Sequence, residues 1–141
     1  MHRVVLDTSV LVAGLRSRTG ASNAVLREAA HGHLTPLITP ALFLEYEAVL
    51  KRTEQRLAHG LDLTAVDGFL AAFASASEPV DVSFQWRPQL ADANDEMVLE
   101  TAVNGRAAAL VTHNVKDFIG AAPRFGLRVL TPGDLLKEIR S

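Results

Sequence analysis

The chain has 141 residues, 48% of them hydrophobic, which excludes a disordered protein and predicts one compact domain over residues 1–141. Cysteine is absent. This excludes disulfides, Cys-ligated zinc and a thiol nucleophile, so any bound metal must be held by oxygen or imidazole. The formal net charge of −2 gives no global positive field, which argues against a passive nucleic-acid binder but not against an enzyme with an acidic metal site.

The start of the chain runs directly into a short apolar stretch that ends at Asp7. This order is unlike that of a signal peptide, and no apolar run approaches the roughly 18 residues that cross a bilayer. We therefore expect a cytoplasmic protein without a membrane segment.

The first half of the chain alternates between predicted strands and helices. Residues 3–6 form a short Val/Leu run typical of a buried strand, and residues 10–13 continue as a helical turn. Apolar residues at helical spacing predict a helix over 22–30, and Leu34–Ile38 is predicted as the second strand. Strands that alternate with helices are typical of parallel sheets.

Thr39 followed by Pro40 is a helix-start signal. Apolar residues then recur at three- and four-residue steps, which predicts the longest helix over 40–59 with Gly60 as its end. Thr64 is expected to cap the next helix. Residues 79–84 alternate between apolar and polar and predict an edge strand, because Pro79 opens the run.

The second half repeats the alternation. A loop through Trp86, Arg87 and Pro88 leads to the acidic cluster 92–96 and a predicted helix over 97–103. Residues 107–112 and 127–130 are predicted strands, and Thr131 with Pro132 starts a last helix over 133–139. The predicted fold class is α/β, with a mostly parallel sheet that carries helices on both faces.

Carboxylates from separate segments are expected at one edge of this sheet, since ligand sites of open parallel sheets form at the carboxyl ends of the strands. Asp7 follows the first strand, Glu45 lies early in the helix after the second, and Asp117 follows a later strand. Asp92, Asp95 and Glu96 lie at a helix start that is expected to face the same edge.

Each acid also has a plainer interpretation. Asp7 is expected to cap the following turn if it has no function, and a lone Glu45 on a helix is usually a solvated surface residue. The 92–96 cluster suits the dipole at a helix N-terminus, and Asp117 suits a turn.

The joint arrangement favours function, because clustered carboxylates raise each other's pKa unless they share a cation. Oxygen ligands without cysteine favour Mg²⁺ or Mn²⁺. The predicted chemistry is metal-assisted phosphodiester hydrolysis.

Four segments, read in order, resemble the PIN-domain nucleases, and in particular the VapC-like toxins of type II toxin–antitoxin systems. They are VVLDTSVLVAGL, LFLEYEAVL, LADANDEMVLETAV, and AALVTHNVKDF followed by GLRVLTPGDLL. The resemblance spans the chain. It implies a three-layer Rossmann-like fold and a Mg²⁺- or Mn²⁺-dependent endoribonuclease, with RNA as substrate, a homodimeric assembly and a small antitoxin protein as partner.

The resemblance also implies site residues. The family's four acids fall on Asp7, Glu45, Asp95 and Asp117, and Asp92 matches an additional acid of this subgroup. Supporting polar positions fall on Thr8, Ser9, Thr112 and Asn114. Many members have Asp at the position of Asn114, so this chain has one negative charge fewer at the site. The number of bound metal ions, one or two, therefore stays open.

In the mechanism that the resemblance implies, Asp7, Asp95 and Asp117 bind the ion and Glu45 orients or deprotonates the attacking water. RNA contacts are expected from Arg16, Arg18 and Lys116. Arg52 and Arg56 are weaker candidates, for which ordinary solvated surface is the preferred interpretation. His113 is interpreted as a partly buried polar residue.

Two alternatives remain. A haloacid-dehalogenase-type phosphatase also places Asp after the first strand, but it needs a second acid where this chain has Ser9. A catalytically inactive PIN-fold module for protein or RNA binding is the other, and the presence of all four acids counts against it. The aromatic residues Phe43, Tyr46, Phe69 and Phe73 either cover a homodimer interface or fill the core of the monomer.

Overall fold

The computed structural model describes residues 2–84 and 88–141. Its centre is a sheet of five strands, all of them parallel, in the order β3-β2-β1-β4-β5. The strands are β1 (His2–Leu6), β2 (Leu34–Ile38), β3 (Glu78–Pro79), β4 (Ala109–Val111) and β5 (Arg128–Leu130). The α-helices are α1 (Thr8–Arg16), α2 (Ala21–Ala30), α3 (Pro40–Leu50), α4 (Thr53–His59), α5 (Leu63–Ser75), α6 (Ala93–Asn104), α7 (Val115–Phe118) and α8 (Pro132–Arg140), and a 3-10 helix covers Ala122–Phe125.

The predicted α/β class and parallel sheet are confirmed. β1 is the middle strand, and it pairs with β2 through Val4 opposite Pro36 and with β4 through Leu6 opposite Val111. The end of β1 and the whole of β4 are buried apolar residues, as expected for strands covered on both faces. Strand order reverses beside β1, so the carboxyl ends of β1 and β4 open onto the site that such sheets form.

The predicted helix over 40–59 is wrong as one unit. It divides into α3 and α4, with Lys51 and Arg52 between them and extended backbone at Arg52. The physical reason is burial: Leu50 is in the core, whereas α4 has no buried residue and Leu57 is 82% exposed. The longest helix is instead α5, with 13 residues.

Three further predictions need correction. Asp62, not Thr64, caps α5, because its Oδ1 accepts a hydrogen bond from the Ala65 N–H at 2.7 Å. The predicted edge strand over 79–84 is reduced to β3, which takes its place at the sheet edge. The predicted helical turn over 10–13 is part of α1. The loop predicted through Trp86 and Arg87 falls on residues 85–87, outside the described residues.

Within residues 2–84 and 88–141, no single helix is long and apolar enough to cross a membrane. The bent pair of α4 and α5 reaches the required length and composition only when the two are joined across their 82° bend.

Candidate active site

Asp7 lies at the carboxyl end of β1, directly before α1, and is 6% exposed. Its Oδ2 accepts hydrogen bonds from the Ser9 hydroxyl at 2.7 Å and from the Thr112 hydroxyl at 2.8 Å. The side chain makes no capping hydrogen bond to α1. The capping interpretation of Asp7 is therefore wrong, and both donors hold the carboxylate at the strand end.

The loop after β4 holds these two hydroxyls in turn. The Asn114 N–H donates to Thr112 Oγ1 at 2.9 Å, and the His113 N–H donates to Ser9 Oγ at 3.3 Å. The His113 ring lies 2.6 Å from the Ser22 hydroxyl on α2. A continuous set of hydrogen bonds thus fixes Asp7 between the start of α1 and the β4–α7 loop.

Tyr46 is a buried residue that contacts the backbone next to Asp7. Its side chain is 0% exposed, and its hydroxyl donates to the carbonyl oxygen of Leu6 at 2.5 Å. Burial raises the pKa of Tyr46 well above its usual value, and the charge of Asp7 raises it further. The contact ties α3, which carries Glu45, to the residue before Asp7.

Asp95, at the start of α6, is a half-buried carboxylate near other acids. Partial burial raises the pKa of Asp95 to about 6, with further contributions from the negative charges of Asp7, Asp92 and Asp117. These acids come from β1, the start of α6 and α7. The charges of carboxylates from three separate segments therefore act on Asp95.

Glu45 lies at the same opening, half-buried on α3. Burial raises the pKa of Glu45, and the charges of Asp92 and Asp7 add to the effect, while the positive charge of Arg52 opposes it. The charge of Glu45 is therefore coupled to those of Asp7 and Asp92, and its side chain is half-buried, unlike that of a solvated surface residue.

Asp92 caps α6. Its Oδ1 accepts the Asn94 N–H at 2.7 Å and the Asp95 N–H at 3.4 Å. Glu96 Oε2 accepts the backbone N–H of Gln89 at 3.0 Å and of Leu90 at 2.8 Å, which holds the preceding loop. The plainer interpretation of the 92–96 cluster is thus correct for Asp92 and Glu96, and it leaves Asp95 as the carboxylate turned into the acidic cluster.

A buried link holds α3 and α6 together. Thr101 Oγ1 donates to the Met97 carbonyl at 2.9 Å, so its only proton is used, and the Thr39 hydroxyl must donate across the 3.1 Å that separates the two. Thr39 Oγ1 also accepts the Leu42 N–H that starts α3. This series of hydrogen bonds joins the start of α3, which carries Glu45, to α6, which carries Asp95.

The remaining predicted residues lie nearer to solvent. Asp117 is exposed in α7, Asn114 precedes that helix without capping it by its side chain, and Thr8 is half-buried in the first turn of α1. Arg18 and Lys116 are exposed, and Arg16 donates to Gln55 on α4 at 3.0 Å.

The donor set of this opening consists of carboxylate, hydroxyl and amide oxygens, which fits a hard divalent cation. In the part of the chain that the structure describes, no three His, Asp or Glu side chains converge closely enough to hold an ion by themselves. Mg²⁺ usually keeps several waters and takes only one or two carboxylates from a protein, so this spacing suits it better than an ion held by protein ligands alone.

The sequence names the acids and the two hydroxyl residues, but it does not indicate the residues that position them. Tyr46 is predicted only as part of an apolar stripe, and Thr101 has no predicted role, whereas Arg52 is exposed as the solvated-surface interpretation expects. Only the position of Tyr46 beside Glu45, and of Thr39 as a helix cap, gave a signal in the sequence.

The family model described as PIN domain matches residues 3–116. The match covers most of the chain, so the chain belongs to the PIN domain family, whose members are generally nucleases and typically use divalent metal ions. It ends one residue before Asp117. A comparison with curated proteins finds no match.

Proposed function

We propose that the protein is a Mg²⁺- or Mn²⁺-dependent endoribonuclease that hydrolyses RNA phosphodiester bonds. The observation that carries this proposal is the buried carboxylate of Asp7 at the end of β1, held by the Ser9 and Thr112 hydroxyls in a PIN domain. The pKa of Asp95, raised by burial and by neighbouring carboxylates, supports it. Carboxylates that repel one another at such an edge are stabilised by a shared cation.

Asp7, Asp95 and Asp117 are the residues that would hold the ion, in part through water. A bound divalent ion supplies charge neutralisation at the phosphate and acidifies the attacking water. Asp92 stays engaged with the start of α6 and contributes negative charge from outside that set.

The chain's own residues prepare the reaction. Ser9 and Thr112 both donate to Oδ2 of Asp7, so Oδ1 is the oxygen that would bind a ligand. Glu45 accepts the proton of the attacking water, a role that suits a carboxylate whose pKa is raised by burial. Tyr46 keeps the end of β1 fixed through the Leu6 carbonyl.

The biological role in this proposal is that of a toxin in a type II toxin–antitoxin pair, acting in the cytoplasm as a homodimer and inhibited by a small antitoxin protein. The four motif segments in family order support this role. Tyr46 and Phe73 are core residues, 0% and 5% exposed, so a dimer interface would use Phe43, Phe69 or the exposed Leu44 instead.

The test is cleavage of a mixed RNA pool by the purified protein with Mn²⁺, Mg²⁺ or EDTA. We expect cleavage with either ion, none with EDTA, and a loss of at least about a hundredfold in Asp7→Asn, Asp95→Asn and Asp117→Asn. Asp81→Asn is the matched control, since Asp81 is exposed and its charge does not act on Asp95. Metal-independent cleavage, or full activity in the three variants, would contradict the proposal, and RNA binding without cleavage would favour the inactive binding module.

A further inference from the structure

A group of arginines lies where α1 meets α4, next to the acidic cluster. We call it the arginine corner: Arg16 in the last turn of α1, Arg52 at the α3–α4 break, and Arg56 on α4. Arg16 Nε and Nη2 donate to Gln55 Oε1 at 3.2 Å and 3.0 Å, which joins the two helices. Because Gln55 is neutral, the bond leaves the positive charge of Arg16 uncompensated.

The corner differs from the neighbouring Lys51, whose ammonium group has two carboxylate partners. Lys51, one residue before Arg52, pairs with Glu47 at 3.2 Å and with Asp67 at 2.6 Å. Among the described residues, none of the three arginines of the corner forms an ion pair. The corner is therefore a concentration of positive charge in a chain whose net charge is −2.

The side chain of Arg56 is a second indication that the corner binds a ligand. Its Nε is buried and has no hydrogen-bond partner, the one such side-chain atom within residues 2–84 and 88–141. Native structures rarely leave a buried donor without an acceptor. A guanidinium in this condition gains hydrogen bonds by turning toward an acceptor from outside the chain, and phosphate oxygens fit its fork of donors.

The break between α3 and α4 sets the position of the corner relative to the acids. Arg52 lies close enough to Glu45 for its charge to act on that carboxylate. Arg16 lies nine residues after Asp7 along α1, roughly 13 Å away at the rise of an α-helix. The corner thus extends from Arg52, whose charge reaches Glu45, to Arg16 in the last turn of α1.

We propose that the arginine corner binds backbone phosphates of the RNA strand next to the one that is cleaved. Arg52 and Arg56 contact these phosphates directly, and Arg16 holds α4 against α1 through Gln55 while adding its charge. Such contacts fix the position of the strand without reading its sequence. The inference rests on the proposed function, because it assigns the strand that the acidic cluster would cut.

The experiment measures binding of a short fluorescein-labelled single-stranded RNA in EDTA, by anisotropy, over a range of salt concentrations. It compares the wild type with Arg52→Gln, Arg56→Gln and the double variant. Arg27→Gln is the matched control, since Arg27 is an exposed arginine in the last turn of α2, outside the corner. Each lost phosphate contact lowers the slope of log K against log salt by about 0.7 for a single strand.

We expect the double variant to lose about 1.4 from the slope, each single variant about half of that, and the control nothing. With Mn²⁺, Arg56→Gln should raise KM for RNA and keep kcat, because its contact is the same in the ground and transition states. Unchanged slopes and KM, a wild type that does not bind RNA at low salt, or an equal loss in Arg27→Gln would each overturn the inference. A wild type that binds RNA through the corner but never cleaves it would instead overturn the nuclease proposal alone.

Discussion

At the scale of single residues, two aspartates at helix starts differ in their hydrogen-bond partners. Asp92 gives its carboxylate to the backbone N–H groups of α6, whereas Asp7 precedes α1 and gives its carboxylate to two hydroxyls. Asp7 is 6% exposed and its side chain does not cap the helix. Burying its charge therefore lowers the free energy of unfolding. Such a cost is common where a residue serves a site and not the fold.

Asp95 should make the metal-free protein less stable as pH rises. Its pKa in the folded state is about 6, against an ordinary value of 3.8 for an aspartate. Between these values the folded state binds more protons than the unfolded state, so the free energy of unfolding falls with rising pH through this window. Asp95→Asn should therefore melt higher than the wild type at pH 7.5 in EDTA and close to it at pH 4.

Thermal melts by circular dichroism from pH 4 to pH 8 measure this difference, with Asp81→Asn as the control. The control should follow the wild type at every pH, since Asp81 does not act on Asp95. A variant that melts below the wild type at pH 7.5 would mean that Asp95 stabilises the fold and is not strained by its neighbours.

Tyr46→Phe tests the contact of Tyr46 with the backbone next to Asp7. The change keeps the ring in the core, where it packs edge-on to Phe73, and removes the donor to the Leu6 carbonyl. We expect a loss of about 1–2 kcal/mol in the free energy of unfolding, because a buried acceptor loses its partner. Urea unfolding measures it, and Leu44→Ala, at a position 60% exposed, should change stability far less.

At the scale of elements, the α3–α4 break shows what periodicity cannot predict. Apolar spacing continues from Leu42 through Leu57, but whether a spaced apolar residue finds a surface to pack on depends on the other elements. Leu50 packs in the core and Leu57 does not. The same limit explains β3, since the alternation over 79–84 predicts a strand whose length depends on how far β2 extends beside it.

Two glycines on helices should respond in opposite directions to alanine. Gly68 on α5 has open space where a Cβ would lie, while a Cβ on Gly105, at the end of α6, would lie 2.9 Å from Leu37 and Val80 side-chain carbons. Gly68→Ala should stabilise the fold by about 0.5–1 kcal/mol through helix propensity. Gly105→Ala should destabilise it by about 1–3 kcal/mol through overpacking.

Chemical denaturation of both variants beside the wild type checks this pair. Equal effects would mean that the close approach of α6 to β2 at Gly105 does not constrain the fold.

At the scale of the whole molecule, the alternation of strands and helices in the sequence is enough to predict the parallel sheet. The rule for the carboxyl edge of such a sheet predicts that Asp7, Asp95 and Asp117 lie near one another, and their role as one site stays a prediction. The contacts that position them were not predictable: Thr39 with Thr101 spans 62 residues of sequence, and Arg56 is notable only because no acceptor reaches its Nε. Pairings of this kind depend on packing between elements, which local pattern does not contain.

Divalent ions should stabilise the whole molecule through the acidic cluster. A ligand that binds only the folded state adds RT ln(1 + [L]/Kd) to the free energy of unfolding, about 2.7 kcal/mol at a hundredfold excess over Kd. We expect the melting temperature to rise with Mn²⁺ or Mg²⁺ at pH 7.5 and to return to its starting value with EDTA. Asp7→Asn and Asp95→Asn should lose most of that rise, because each removes an oxygen ligand with its charge. Asp81→Asn and Tyr46→Phe, which leave the carboxylates in place, should keep it. A full rise in Asp7→Asn would show that the ion binds elsewhere, and the cluster at the end of β1 would then be an acidic edge without a metal.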